Sequence, residues 1–133
     1  MPKNVRPKKT STEKQRDLDL EISFLEGLVG RDPQWCDALK LLGDDYTNRG
    51  RIDDGLRVDE QLARLCPDDA YVFYNLACSY SLADKLDDAL IALDRAVQLG
   101  YDDMKWLAKD PDMAKLRRHP SFKVFIGKFS AAK

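Results

Sequence analysis

The feature that most constrains this chain is a gapless internal repeat. Shifted by 34 residues, positions 36–69 align with 70–103, and eight positions are identical: Leu42/Leu76, Tyr46/Tyr80, Asp53/Asp87, Asp54/Asp88, Leu56/Leu90, Leu65/Leu99, Asp68/Asp102 and Asp69/Asp103. Four further pairs keep size or chemistry: Leu39/Phe73, Gly43/Ala77, Ile52/Leu86 and Gly55/Ala89. A fixed period of this length marks supersecondary units that bury their apolar faces on their neighbours, because one unit alone has too little core.

Within each period the apolar spacing is helical, and no segment alternates as a strand does. Leu18, Ile22, Leu25, Leu28 and Val29 form one apolar stripe from Asp17 onward, with Leu20 and Phe24 widening it. Gly30 and Asp32-Pro33 are read as closing that helix and opening the next at Pro33. Helices follow over 33–49, 53–65, 71–82 and 87–99. The paired aspartates 53–54 and 87–88 fall at helix starts, where the macrodipole favours carboxylates by about 0.3–1 kcal/mol each. The expected fold is all-α: antiparallel helix-turn-helix repeats forming a solenoid of about two and a half units. A half-unit, 17–35, precedes repeats 36–69 and 70–103. Residues 104–133 are expected to cap the open end with short helices. Asp110-Pro111 begins one and Pro120-Ser121 another, carrying Phe122, Phe125, Ile126 and Phe129.

Composition excludes several classes. The chain has 133 residues with 22 basic and 23 acidic side chains, a net charge of −1. Residues 1–16 hold six basic residues and one acid, so a basic tail precedes an acidic body. That tail is read as disordered. It is a solubilising terminus or a contact for nucleic acid, an acidic membrane or an acidic partner; a nucleic-acid role rests on it alone and is not expected. No apolar run suits a membrane span, and nothing resembles a secretory leader. Three cysteines without a CxxC pair support neither a disulfide framework nor a zinc ribbon, so Cys36, Cys66 and Cys78 are read as small packing residues in a reducing cytoplasm. No phosphate loop or other cofactor motif exists, and any histidine chemistry would depend on His119 alone.

The pattern resembles the tetratricopeptide repeat family: Leu39, Leu42-Gly43, Tyr46, Gly55 and Pro67 in one unit, and Phe73, Leu76-Ala77, Tyr80, Ala89, Leu93 and Ala96 in the next. Asp59 departs from it, standing where a bulky apolar residue is usual. The stretch from Gly100-Tyr101 through Trp106, Asp110-Pro111-Asp112 and Phe122 resembles the closing segment of many bacterial members of that family. The resemblance implies a concave groove, lined by the first helix of each unit, that binds a partner segment. The groove residues would be Asp37, Lys40, Asp44, Thr47 and Asn48, then Tyr71, Tyr74, Asn75, Cys78 and Ser81. Lys40 and Asn75 match two positions of the family's carboxylate clamp, but Asp44 stands where the clamp has Asn and repels a carboxylate.

The expected function is therefore a protein–protein adaptor, not an enzyme, with no metal or cofactor. A self-assembling module joined through its incomplete repeat end is the alternative. Asp110 and Asp112 could seed a metal or acid–base site, but a helix cap beside proline accounts for them. The groove could also be filled by the chain's own C-terminal end.

Overall fold

The computed structural model describes residues 7–131, with side chains through residue 128. Lys3 and Arg6 of the basic tail and the Phe129 side chain lie outside the described residues. The described chain is all-helical: α1 (Ser11–Arg31), α2 (Cys36–Asn48), α3 (Ile52–Leu65), α4 (Ala70–Leu82), α5 (Leu86–Gln98), α6 (Met104–Leu107), a 3₁₀ turn at Pro111–Met113, α7 (Ala114–Arg117) and α8 (Pro120–Ala131). The starts of α2 and α4, and of α3 and α5, are each 34 residues apart. Each helix from α1 to α5 packs on the next, and the short connections make them antiparallel neighbours.

Helix boundaries follow local chemistry. Asp69 accepts the Tyr71 and Val72 N–H groups at the start of α4. Asp103 accepts from Trp106 N–H, and Asp110 from Asp112 N–H ahead of the 3₁₀ turn. The turns between paired helices need a left-handed residue at one position. Gly50 fills it in the first hairpin (φ 85°), and Asp84, 34 residues later, adopts φ 62° in the second.

Two expected boundaries are corrected. Residues 11–16 are not disordered: Thr10 Oγ1 accepts the Glu13 N–H while the Glu13 carboxylate accepts the Thr10 N–H, and this capping box starts α1 at Ser11. Helix α2 begins at Cys36, not Pro33, because Asp32 donates its N–H back to Leu28 and ends α1, leaving residues 33–34 in a turn.

The interior forms two adjoining clusters. Ile22 and Leu25 of α1 pack with Leu39, Leu42, Tyr46, Val58, Leu62 and Val72. Ala77, Ala89, Leu93 and Ala96 of the second hairpin pack with Leu107, Met113, Leu116, Phe122 and Phe125 of the C-terminal segment. That segment therefore covers the open face of α4 and α5. Gly43 permits a close approach of α2 and α3, since a Cβ there would lie 3.0 Å from Asp59 Oδ1. Tyr46 donates to Glu26 of α1 at 2.5 Å, and Tyr80, 34 residues on, donates to Glu60 of α3 at 2.9 Å. Helix α1 thus meets α2 as α3 meets α4. Leu20 and Phe24 do not widen the buried stripe of α1. Both are exposed, because α2 reaches only the face carrying Ile22 and Leu25.

Candidate functional site

Helices α2 and α4 and the C-terminal segment enclose a cleft of about 260 Å³. Its walls carry Asp44, Thr47 and Asn48 of α2, Asp59 of α3, Tyr74, Asn75, Cys78 and Ser79 of α4, and Trp106, Asp110 and Asp112 from beyond the second hairpin. The ten expected groove residues divide around it. Asp37, Asp44, Asn48, Tyr71 and Asn75 are exposed, and Lys40 and Thr47 are half-buried. Tyr74, Cys78 and Ser81 are buried and present no free surface.

The C-terminal segment covers Tyr74 and Cys78. Asp110, itself buried, accepts the Tyr74 hydroxyl proton at 2.6 Å and the Cys78 thiol at 3.7 Å, while its other oxygen takes the Asp112 N–H. The Tyr101 ring stacks on Tyr74 at 4.2 Å and meets Tyr71 edge-on at 5.9 Å. Arg117 holds the segment by donating to the carbonyls of Leu107 and Asp110. One end of the groove is therefore filled by the chain itself. Two side chains expected as partner contacts serve as its anchor. Burial raises the Tyr74 hydroxyl and the Cys78 thiol, so both stay protonated near neutrality.

Cys78, Asp110 and Asp112 place their donor atoms within 4.8 Å of one another. Asp110 is already engaged by three donors, and the protonated Cys78 thiol is one of them. The trio is accounted for as the hub that fastens the cap to α4.

The open part of the cleft is acidic. The protein wall behind Asp44 desolvates its carboxyl and raises it; burial, then Asp110 and Asp44, raise Asp112. Asp59 stands deepest. Burial pushes its carboxyl up to about 7, against the stabilising Ser79 hydroxyl 2.5 Å away. The departure from the apolar repeat position is thus a buried polar pair joining α3 to α4. Among the described residues, the Asn48 and Asn75 side-chain amides and the Trp106 indole N–H make no hydrogen bond within the protein.

Outside the cleft, Lys40 pairs with Asp69 at 2.9 Å, tying α2 to the start of α4. Burial works against the Asp69 carboxylate, but Lys40 and the capped N–H groups hold it below the usual range. Lys40 is therefore already occupied by an internal acid. Cys36 and Cys66 are not independent packing residues, since their sulfurs lie 2.6 Å apart. Their spacing of 30 positions carries no motif, so only packing reveals the contact. The contacts of Asp110 are equally hidden, because it lies 32 and 36 positions from Cys78 and Tyr74 of α4.

No helix among the described residues is long and apolar enough to cross a membrane. No family model matches the chain. A chloroplastic protein of Arabidopsis thaliana is 31% identical over 90 residues, covering 65% of this chain and 27% of that protein. The chain thus spans about a quarter of the length of the curated relative it matches.

Proposed function

We propose that this chain is a tetratricopeptide-repeat-like module of the cytoplasm that binds an extended, cationic segment of a partner protein along the open part of the α2–α4 groove. The supporting observation is the set of unsatisfied polar groups there. Asn48 and Asn75 each offer a carbonyl and an NH₂ group, suited to gripping a peptide backbone. Asp44 and Asp112 beside them favour a lysine or arginine side chain, and the half-exposed Trp106 ring supplies a cation–π face. Acidic peptides and free C-terminal carboxylates are disfavoured by the same charges.

Fluorescence anisotropy with labelled extended peptides tests this. Lysine- or arginine-bearing peptides should bind, weaken with added salt, and lose at least tenfold in affinity in the Asn48→Ala/Asn75→Ala double variant. Equal binding of acidic and basic peptides, or an unaffected double variant, refutes the reading.

A second reading rests on Leu20 and Phe24. They stand one turn apart on the outer face of α1 and are 68% and 63% exposed. Self-association through α1 would cover them. Light scattering over a concentration series decides it: Leu20→Ser/Phe24→Ser must abolish any dimer seen, and a concentration-independent monomer excludes this reading.

A further inference from the structure

We propose that Cys36 and Cys66 form a redox modification site, closing an intramolecular disulfide across the open end of the α2–α3 hairpin. Cys36 is the first residue of α2 and Cys66 follows the last residue of α3, so the antiparallel packing brings them together from 30 positions apart. Their Sγ atoms are 2.6 Å apart, inside ordinary sulfur–sulfur contact and about 0.6 Å beyond a disulfide bond. Both are free and half-buried, and Cys66 lines an open depression formed by residues 65–70 that admits a small oxidant. Cys78 is held elsewhere by Asp110.

The chemistry is thiol–disulfide exchange with a small-molecule disulfide such as oxidised glutathione. Cys36 is the attacking sulfur: it sits at the positive end of α2 and accepts the Cys66 S–H. Its thiolate attacks one glutathione sulfur. A mixed disulfide forms, the oxidant's S–S bond breaks, and the departing glutathione thiolate takes from water the proton that Cys36 had released to it. Cys66, deprotonated in turn, attacks Cys36 Sγ and displaces the second glutathione thiolate, which takes the second proton. Two protein thiols lose two electrons, and one glutathione disulfide becomes two glutathione thiols. In the reduced chain Cys36, burial and Asp69 raise the Cys66 thiol while Lys40 lowers it. The bond would also brace the end of the hairpin beside the Lys40–Asp69 pair, where α2 meets α4.

The test uses the full chain, folded, equilibrated with excess oxidised glutathione, then trapped by alkylation and mapped by mass spectrometry. The expected product has lost two hydrogens, contains a peptide linking Cys36 to Cys66, and carries one free thiol at Cys78. Its thermal midpoint should exceed that of the reduced chain by roughly 10 °C, from loop-closure entropy. Cys66→Ser should stop at a single glutathione adduct on Cys36, with its helical content retained. Two unreacted thiols, two persistent glutathione adducts, links between chains, or a bond that lowers the midpoint each overturn the proposal.

Discussion

Removing the Asp59 carboxylate should raise stability at neutral pH and flatten its dependence on pH. Asp59 is 7% exposed, on α3, with its carboxyl raised to about 7 mainly by burial. The charges around it come from two other elements. Asp44 of α2 raises it directly, and the Ser79 hydroxyl of α4 partly offsets the burial. The unfolded chain releases this proton near 3.8. The native state therefore binds the proton more tightly. The resulting stabilisation is fully present below about pH 4 and is lost as pH rises through 7. A gap of about three pKa units corresponds to about 4 kcal/mol in total, of which roughly 2–3 kcal/mol disappears between pH 5 and pH 8. For a chain of this size that is roughly 9 °C in thermal midpoint. Asp59→Asn keeps the shape and can still accept from Ser79, but it cannot ionise. Thermal melts by circular dichroism at half-unit pH intervals should show wild type falling toward the variant, then below it, between pH 5 and 8. Other carboxylates contribute to both curves, among them Asp45, raised to about 6 by burial and by Glu21. The difference between the curves isolates Asp59. Parallel curves for the two proteins refute the assignment.

Further outcomes follow from packing. A Cβ at Gly55 would lie 2.8 Å from Thr47 Oγ1, so Gly55→Ala should destabilise by about 1–3 kcal/mol despite alanine's better helix propensity. In a Thr47→Ala background the same change should stabilise by up to about 1 kcal/mol, a sign reversal that urea titration detects. Tyr74→Phe strips Asp110 of its hydroxyl donor and should cost about 1–3 kcal/mol, whereas Tyr71→Phe, on an exposed ring, should stay within about 0.5 kcal/mol. Hydrogen exchange should show the Tyr74 variant loosening residues 104–117 before the first hairpin.

Much of the helical organisation was legible in the residues because its causes are local. Aspartate caps act within three residues, apolar periodicity within two turns, and the turn positions at Gly50 and Asp84 recur with the 34-residue spacing. The sequence misleads where two local signals compete. Asp32-Pro33 has the chemistry of a helix start, yet the Asp32 N–H closes α1. Thr10 and Glu13 form a capping box inside a stretch whose charge suggested disorder. The expected groove residues lie on α2 and α4, but their exposure is not legible in the sequence. Tyr74 and Cys78 sit under Asp110, which is more than 30 positions away.

By itself, the sequence determined the helices, their spacing and most of their boundaries, since each depends on residues within a few positions of one another. Tertiary structure alone decided that Asp59 is buried against Ser79, that the C-terminal segment occupies one end of the groove, and that Cys36 meets Cys66. Each of those depends on which helix faces packing brings together, and residues 20 to 36 positions apart announce nothing in their spacing.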